Sequence, residues 1–541
     1  MRAIKPMTAE FDEYRHDESR NQGEAETISF PTGEEEVRAV IRACSEADPP
    51  IPVTIQGART GLAAGAVPCG GHVLNLSRMN AYLGLRQDGD GTFRLRVQPG
   101  VILSELRRHL HDGSLPAASW DEASRRALER MKSAPEQIFP TDPTETSACL
   151  GGMAACNASG ARSYRHGPMR PHVSALRVVL ASGEVVALRR GEMSAQGRSL
   201  ELTSESGSTI ALQLPEIAMP RTKNASGYFI EEGMDAIDLF IGSDGTLGVI
   251  TELELDLIPA PRLTWGVSCF LPSERAALDL VVAARPALAC ASAIEYLDGA
   301  ALQILRSMRS RSAAFASLPA IPSSYGACVF IELACEGEDR ALGELESLGR
   351  LLAESGGDMA DTWVARTDVD RERQRFFRHA VPESVNMLID ERRRIDPGIT
   401  KLGSDMSVPN DRLHDVMELY RGTIAEAGLQ SAAWGHIGDN HLHVNILPRD
   451  ASEHAAGEEL FHRWAGAVTE MGGAVSAEHG IGKIKRDFLL TMYGEEGIDG
   501  MALLKAQLDP AGILGRGNLF DEARLQRAIG RLGAMRGEGR A

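Results

Sequence analysis

The apolar residues near the start of the chain repeat first with a helical period and then with a strand period. Between residues 37 and 44 they stand three and four positions apart, which is typical of one face of a helix. Residues 51–55 alternate as in a strand and lead directly into a glycine-rich segment that begins at Gly57. The pattern therefore predicts a helix, a strand and a glycine-rich turn in this order.

The segment from Val249 to Leu257 is predicted to be another strand. Its leucines alternate with acidic residues, which is typical of a strand in a sheet with one solvated face. Pro259 and Pro261 interrupt this pattern, and helical and strand-like segments alternate beyond them. We therefore expect an α+β protein with three parts: a first domain of residues 1–262, a second domain of residues 263–500 and a C-terminal segment of residues 501–541.

The charge balance and the cysteine pattern argue against several functional classes. The 541 residues include 75 acidic and 57 basic residues, and the net charge of -18 argues against nucleic acid or anionic lipid as the main partner. The sequence has no long uninterrupted apolar run and no secretory signal, so we expect a cytoplasmic protein without a transmembrane segment, with peripheral contact to the inner membrane as an alternative. The eight cysteines form no C-x-x-C pair, so any electrons need a carrier other than an iron–sulfur cluster.

Three glycine-rich segments lie next to predicted strands. They are residues 57–65, residues 140–160 and residues 242–248. Glycine permits positive φ angles and lets backbone N–H groups converge on an anion, although each segment alone is compatible with a tight turn or with close helix packing. The three segments together favour the binding of an extended nucleotide that contains a pyrophosphate.

A histidine-rich segment, WGHIGDNHLHVN, carries the densest chemical signal of the chain. If a strand begins near His441, this residue shares one face with His443 and Asn445. The glycine turn before the strand could bring His436 back to the same face. A Glu-His pair at residues 478–479 follows, and two imidazoles with one carboxylate leave an open coordination position on a zinc-like ion. From the residues alone, an exposed histidine face is an equal alternative.

These segments, together with Phe30-Pro31 and with LDPAGIL at residues 508–514, resemble the vanillyl-alcohol oxidase superfamily and its PCMH-type FAD-binding domain. The chain most resembles the branch of FAD-linked D-2-hydroxyacid dehydrogenases, which includes D-lactate, glycolate and D-2-hydroxyglutarate dehydrogenases. The resemblance implies an α+β fold with a two-lobed FAD-binding domain and an α+β cap domain that contains an antiparallel sheet, of the FAD-linked oxidase C-terminal type. It also implies that residues 501–541 return to the FAD-binding domain.

The resemblance implies which residues hold FAD. They are Gly57, Ala58, Arg59, Thr60, Gly61, Leu62, Pro140, Thr141, Gly151, Gly152, Asn157, Ser159, Gly160, Gly248, Val249, Ile250 and Asn518. The family usually has a run of glycines where this chain has Ala58-Arg59-Thr60, so we expect a bulkier or charged contact beside the cofactor. Some relatives attach the flavin covalently through a histidine of this loop. Because the loop holds no histidine here, we expect non-covalent FAD.

Two segments resemble the family motifs G-H-x-G-D-G-N-x-H and G-E-H-G-I-G. They imply His436, His443 and Glu478 as ligands of a divalent metal ion, with zinc as the first expectation. Asn440 and His441 stand where the first motif usually has Gly and Asn. His441 is close enough in the sequence to compete as a ligand, so the exact ligand set stays open.

The resemblance also implies the residues that act on the substrate. His479 is expected to be the general base, because an imidazole titrates near working pH, and Asn445 is expected to lie beside the substrate. Arg378 and Lys401, and more weakly Lys223, are expected to bind the carboxylate of a 2-hydroxy acid. For Arg378 a solvated helix face is the alternative, because other arginines surround it in the sequence.

The expected function is FAD-dependent, metal-assisted oxidation of a D-2-hydroxy acid of the lactate, glycolate or 2-hydroxyglutarate class to the 2-oxo acid. The electrons are expected to pass to a separate acceptor, which is a quinone, a cytochrome or an electron-transfer flavoprotein. A homodimer is an open alternative to a monomer. Three other functions are compatible with the residues: a flavoenzyme similar to alkyl-glycerone-phosphate synthase, a metal-dependent hydrolase without flavin, and a non-catalytic flavin-binding subunit.

Overall fold

A computed structural model describes residues 4–538 of the chain. Helices accompany three larger sheets, and most strand pairs are antiparallel. The first two sheets are built from residues before 260, and the third sheet is built from residues after 262. The prediction of an α+β fold with an antiparallel sheet in the second half is therefore confirmed.

The first half of the chain forms two sheets and two short strand pairs. The four-stranded sheet has the order Ile4–Pro6, Thr27–Ser29, His72–Asn75 and Val53–Gln56. The five-stranded sheet has the order Tyr82–Gln87, Phe93–Val97, Val249–Asp256, Val173–Val179 and Val185–Arg189. The short pairs are Ser199–Thr203 with Thr209–Gln213, and Gln137–Ile138 with Ile258–Pro259.

The second half is built on an eight-stranded antiparallel sheet. Seven strands follow in the order Trp363–Ala365, Leu263–Leu271, Ala327–Cys335, Ala291–Asp298, Ser431–Gly435, His441–Ile446 and Leu402–Gly403. The eighth strand, Met406–Ser407, also pairs with His441–Ile446. The histidine-rich strand therefore has neighbours on both edges. Its faces are covered as well, because five of its six residues are at most 2% exposed.

Helices cover the sheets of both halves. In the first half they are Glu34–Ser45, Leu103–His111, Glu122–Ser133, Leu150–Ala155, Ser163–His166 and Ala236–Phe240. In the second half and the C-terminal segment they are Glu274–Ala287, Gly299–Arg311, Glu338–Glu354, Asp368–Arg393, Leu413–Ala427, Ala451–Glu470, Arg486–Leu508 and Glu522–Glu538. Six short 3-10 helices are Ala9–Arg15, Arg170–His172, Ala313–Phe315, Met359–Asp361, Asn410–Arg412 and Ile437–Asp439. Within residues 4–538, none of the helices combines the length and the apolar character that crossing a bilayer requires.

The end of the chain packs against its beginning. The apolar face predicted at residues 37–44 lies in a core cluster with Ile513 and Leu514. Val53 donates its backbone N–H to the Ile513 carbonyl at 2.7 Å, and the Val53 carbonyl accepts from the N–H of Gly515 at 3.0 Å. The predicted boundary at residue 500 falls inside the helix Arg486–Leu508, which leads into this returning segment.

The strand Val249–Asp256 corrects one expectation from the sequence. The acidic face predicted to be solvated includes Glu254, whose side chain is only 2 % exposed. Arg86 and Arg189, from the two edge strands Tyr82–Gln87 and Val185–Arg189, each approach Glu254 to 2.7 Å. The prediction of a wet face is therefore wrong at Glu254, because cross-strand arginines cover its carboxylate.

Candidate active site

One large cavity lies between the two halves of the molecule. Its volume is about 1960 Å³, and both halves contribute to its wall. The first half contributes residues from all three glycine-rich segments, and the second half contributes the helix Asp368–Arg393 and the histidine-rich strand. Segments that lie far apart in the sequence therefore meet around a single space.

At Gly57 and Gly160 the glycine-rich segments pass so close to other parts of the chain that a side chain would not fit. A Cβ atom on Gly57 would lie 2.0 Å from the sulfur of Cys149, and a Cβ atom on Gly160 would lie 1.7 Å from the backbone oxygen of Asp142. Both distances are far below van der Waals contact. Glycine at these positions lets the first and second segments pack closely beside the cavity. A large ligand that contacts the backbone requires such an approach.

The residues expected to hold FAD divide into two groups. Those that line the cavity are Gly57, Ala58, Arg59, Thr60, Gly61, Leu62, Gly151, Gly152, Ser159, Gly248 and Ile250. Those that lie behind its wall are Pro140, Thr141, Asn157, Gly160, Val249 and Asn518. Two members of the second group hold the wall together: Asn157 accepts from the N–H of Arg170 at 3.0 Å, and Asn518 donates to the carbonyls of Gly65 and Asp244.

Arg59 keeps the backbone conformation for which glycine is usually selected. Its φ angle is +61°, in the left-handed region that few non-glycine residues adopt. The guanidinium turns toward the N-terminal segment, where it lies 2.8 Å from the Glu13 carboxylate and 4.2 Å from the ring centroid of Tyr14. Arg59 in place of glycine thus adds contacts between this loop and the N-terminal segment, while the backbone at this position keeps a left-handed conformation.

Three histidines surround the carboxylate of Glu478. His436 Nε2 lies 3.4 Å from Glu478 Oε2, and His443 Nε2 lies 3.4 Å from Glu478 Oε1. His441 Nδ1 is 3.7 Å from Glu478 Oε2. The ligand atoms of these four residues all lie within 4.8 Å of one another, so a single cation can reach them. The three expected ligands are therefore brought together, and His441 lies with them.

Ionisation of the cluster follows from burial and from neighbouring charges. Burial alone disfavours the Glu478 carboxylate, but the positive charges of Lys223 and His436 outweigh it and hold the pKa of Glu478 well below its ordinary value. Burial likewise opposes a charge on His436, yet Glu295 raises its pKa to about 10. For His441 and His443 burial prevails and lowers the pKa. Neutral imidazoles and an ionised carboxylate are the forms that bind metal ions, so His441, His443 and Glu478 are already in the binding form at neutral pH, whereas His436 would release a proton when an ion binds.

Two buried carboxylates hold the cluster in place. Glu295 accepts a hydrogen bond from His436 Nδ1 at 2.7 Å. Asp405 accepts from the hydroxyl of Ser476 at 2.7 Å and from the backbone N–H of His479 at 3.1 Å, and it also pairs with Lys485. The sequence patterns did not single out either carboxylate. The signal that could have found them is an acidic residue in a short apolar stretch, because a buried charge needs a partner.

The residues expected to bind and oxidise the substrate occupy one side of the cavity. Arg378, Lys401, Asn445 and His479 all line it. The Arg378 guanidinium lies 4.2 Å from the ring centroid of Phe330, and Arg378 Nε is buried without a hydrogen-bond partner among the described residues. Arg378 therefore does not lie on the solvated helix face that was the alternative.

Two of the candidate cations differ in their surroundings. Lys401 Nζ lies 5.9 Å from the Trp434 ring centroid, and burial lowers the pKa of this ammonium. Lys223 is buried behind the wall, where it donates to Glu478 Oε2 at 3.0 Å. Lys223 thus contacts the carboxylate of the cluster rather than the open part of the cavity.

The chain matches two known families in adjoining regions. Residues 261–519 match the family described as FAD linked oxidases, C-terminal domain, and residues 25–124 and 123–189 match the family described as FAD binding domain. Among curated relatives, the D-lactate dehydrogenase of Anaerostipes hadrus is 29% identical over 521 residues, which cover 94% of this chain and 92% of that protein. The D-2-hydroxyglutarate dehydrogenase of Xanthomonas citri pv. viticola is 27% identical over 527 residues, which cover 96% and 94%.

Solved structures agree in fold. An alkyldihydroxyacetonephosphate synthase superposes with a TM-score of 0.62 at 14% identity, over 95% of this chain and 82% of that chain. Such a low identity supports the fold alone. The family matches cover the glycine-rich segments at residues 57–65 and 140–160 and also the histidine-rich strand. The chain therefore belongs to the FAD-linked oxidases with a PCMH-type FAD-binding domain, and it is an FAD-dependent oxidoreductase.

Proposed function

We propose that the protein oxidises a D-2-hydroxy acid to the 2-oxo acid with FAD and a divalent metal ion. The observation that carries this proposal is that one cavity is lined both by the three glycine-rich segments and by His436, His443 and Glu478. The substrate class is supported by relatives named D-lactate dehydrogenase and D-2-hydroxyglutarate dehydrogenase, which match over 94% and 96% of this chain.

The donor set fits a divalent ion. Imidazole nitrogen and carboxylate oxygen are the ligands that zinc prefers, and His436, His443 and Glu478 would hold the ion from three sides. Glu295 and the backbone carbonyl of Ser404 fix the orientation of the two imidazoles, at 2.7 Å and 3.3 Å from their Nδ1 atoms. When bound, FAD accepts the hydride from carbon and the metal ion stabilises negative charge on the alcohol oxygen.

The substrate carboxylate is held by cations of the second half. Arg378 offers a buried Nε without a partner among the described residues, and a charge-assisted hydrogen bond to a carboxylate would satisfy it. Lys401 adds a second positive charge at the cavity wall. Two fixed cations orient the acid so that its carbon faces the glycine-rich segments.

His479 removes the hydroxyl proton. Its side chain is 27% exposed at the cavity, its Nδ1 lies 3.5 Å from Asp405 Oδ1, and its Nε2 lies 3.4 Å from Glu478 Oε1. Asp405 holds one ring nitrogen, so the proton is taken at Nε2, as in other carboxylate–histidine pairs. His479 would take the proton, which balances the hydride that bound FAD would accept in a two-electron oxidation.

The cofactor is held without a covalent bond, and its electrons leave to a separate acceptor. The loop at residues 57–65 contains no histidine for covalent attachment, and the sequence contains no C-x-x-C pair for an iron–sulfur cluster. A quinone, a cytochrome or an electron-transfer flavoprotein would therefore reoxidise the flavin. Acid precipitation should release the yellow colour into the supernatant, and colour on the pellet would contradict non-covalent binding.

The substrate class is tested by anaerobic mixing of the purified protein with D- and L-lactate, glycolate and D- and L-2-hydroxyglutarate while the flavin absorbance is followed. We expect rapid bleaching by glycolate or by D-enantiomers, because the fixed cations and the base present one face of the carbon to the ring. Bleaching by none of these acids would refute the proposal. Turnover without net reduction of an added acceptor would instead indicate a substitution reaction.

The metal ion is tested by the variant Glu478→Ala. Loss of this carboxylate should lower turnover by at least about a hundredfold while FAD stays bound, because Glu478 contacts the glycine-rich segments only through a long hydrogen bond from the Ser159 hydroxyl, at 3.4 Å, among the described residues. The matched control is Glu470→Ala, which removes an exposed glutamate. A Glu478→Ala protein that loses FAD, or that keeps full activity, would contradict this division of roles.

A further inference from the structure

His441 differs from the other histidines of the cluster in standing where the family motif usually has asparagine. The residue is fully buried, and its Nε2 faces Asp405 Oδ1 at 3.0 Å, whereas its Nδ1 has no hydrogen-bond partner within the described part of the chain. A buried polar nitrogen without a partner is costly in a folded protein. The position of His441 therefore calls for a ligand that the protein itself does not supply.

We infer that His441 is a fourth protein ligand, so that three imidazoles and the Glu478 carboxylate hold one transition-metal ion. The inference rests on the proposed function, which supplies the metal ion, and it enlarges the expected ligand set of His436, His443 and Glu478.

The distances within the cluster fit a single ion. Ligand atoms in a tetrahedron around an ion with bonds of about 2.1 Å lie about 3.4 Å apart. His436 and His443 each approach Glu478 to 3.4 Å, and His441 approaches it to 3.7 Å. His441 is therefore within a few tenths of an ångström of the separation that coordination requires.

The second nitrogen of every imidazole in the cluster faces an oxygen atom. The three contacts are His436 Nδ1 to Glu295 Oε1 at 2.7 Å, His443 Nδ1 to the Ser404 carbonyl at 3.3 Å, and His441 Nε2 to Asp405 Oδ1 at 3.0 Å. Metal-bound histidines typically direct the second ring N–H to a carboxylate or a carbonyl, which turns the free lone pair toward the metal ion. His441 shares this arrangement with the two expected ligands.

A competing ligand set is less suited to a metal ion. Asp405, His443, Glu478 and His479 also lie close enough together to bind a cation. However, Asp405 already receives hydrogen bonds from the Ser476 hydroxyl and from the His479 N–H, and it pairs with Lys485. Its oxygens are occupied, whereas His441 Nδ1 is free of hydrogen bonds among the described residues.

A site with three nitrogen ligands and one oxygen ligand selects among metal ions. Imidazole-rich sites favour Zn²⁺ and neighbouring first-row transition metals, whereas Mg²⁺ and Ca²⁺ prefer oxygen ligands. Four protein ligands also leave room for only one further ligand on a five-coordinate ion. We therefore expect tight retention of Zn²⁺ and no replacement of Zn²⁺ by millimolar Mg²⁺.

The experiment uses the full-length FAD-loaded protein with Zn²⁺ as the probe. X-ray absorption at the zinc edge counts the imidazoles around the ion in the unmodified protein, so it does not depend on any variant folding. Competition with a chelator of known affinity then compares the unmodified protein with His441→Asn, and flavin absorbance reports folding. His111→Asn, which removes a histidine with a 75% exposed side chain in the first half, is the matched control.

We expect three imidazoles at the ion and an affinity for Zn²⁺ that falls at least about tenfold in His441→Asn but not in His111→Asn. Two imidazoles, or an unchanged affinity in folded His441→Asn, would overturn the assignment of His441 and leave the proposed function standing. If the unmodified protein binds no Zn²⁺ while a hydroxy acid still bleaches its flavin, both this inference and the metal part of the proposed function fail.

Discussion

At the scale of single residues, one buried carboxylate serves two parts of the site. Glu295 Oε1 accepts from His436 at 2.7 Å, and Glu295 Oε2 lies 3.7 Å from Arg378. Burial alone would raise the pKa of Glu295, but the charges of His436 and Arg378 outweigh it and lower the pKa. An ionised Glu295 therefore orients both the imidazole that we propose as a metal ligand and the cation that we propose to hold the substrate.

The variant Glu295→Gln should weaken both functions at once. We expect kcat to fall about 10- to 100-fold, because His436 loses the carboxylate that orients it, and KM to rise, because Arg378 loses its only carboxylate partner among the described residues. Steady-state kinetics and Zn²⁺ titration measure the two effects. Glu344→Gln, at a buried glutamate that pairs with Arg340 outside the cavity, is the control. Unchanged kinetics and metal affinity in Glu295→Gln would show that neither contact matters.

The sequence predicted those site residues that carry a recognisable chemical pattern. His436, His443 and Glu478 lie together, as their motifs implied. Glu295 and Asp405 were not predicted, because a carboxylate that orients another side chain belongs to no motif with a fixed spacing, and the acidic residue in an apolar stretch is a weak signal by itself. Their partners come from strands and loops that only the folded chain brings together.

At the scale of elements, the strand Val249–Asp256 shows what a periodic pattern of apolar and polar residues can predict and what it cannot. The alternation correctly predicted a strand, but it could not show that arginines of the two edge strands of the sheet would cover Glu254. A period-2 pattern reports which side chains share a face, whereas the neighbours of that face are set by sheet order. For the same reason the sheet order of both halves lay beyond the sequence patterns.

The Glu254 network predicts a pH-dependent stability. Burial disfavours its charge, but Arg86 and Arg189 outweigh burial and lower the pKa of Glu254 from 4.5 to about 2. A lowered pKa contributes stability that is complete above pH 4.5 and is lost as the pH falls toward 2. Glu254→Gln should therefore lower the thermal midpoint by a few degrees at pH 7, and the difference from the unmodified protein should shrink between pH 4.5 and 2.

The control for this measurement is Glu252→Gln on the same strand. Glu252 pairs with Arg96 near the surface, where an ion pair contributes little to stability. Its midpoint should stay close to that of the unmodified protein at every pH. A Glu254→Gln difference that persisted unchanged at low pH would mean that packing, and not charge, causes the loss.

At the scale of the whole molecule, the C-terminal segment joins regions that lie far apart in the sequence. Lys505 is fully buried, and its ammonium donates to Asp509, to the carbonyl of Thr246 and to the carbonyl of Leu514, at 2.7 to 2.8 Å. Thr246 belongs to the third glycine-rich segment. One side chain thus connects the wall of the cofactor cavity to the returning end of the chain.

Lys505→Met should destabilise the first half and release FAD. Removal of one partner of a buried ion pair typically costs about 3–5 kcal/mol, because Asp509 would remain charged and buried. We expect flavin fluorescence to appear at a lower temperature on heating than in the unmodified protein. Lys132→Met, at an exposed lysine that pairs with Glu129, should leave this temperature unchanged. Equal release temperatures for Lys505→Met and the unmodified protein would refute the role of this contact.

The bridge between Val53 and Leu514 joins residues separated by most of the chain. During synthesis, the ribosome must therefore deliver the chain as far as Leu514 before the third strand of the first sheet, Val53–Gln56, gains this neighbour. The FAD-binding half of the protein is translated early, but its fold is completed only when the C-terminal segment packs against it. Nascent protein should therefore acquire its yellow colour only after Leu514 has left the ribosome, and a chain that stalls or terminates before this residue should remain colourless even when its first 500 residues are intact.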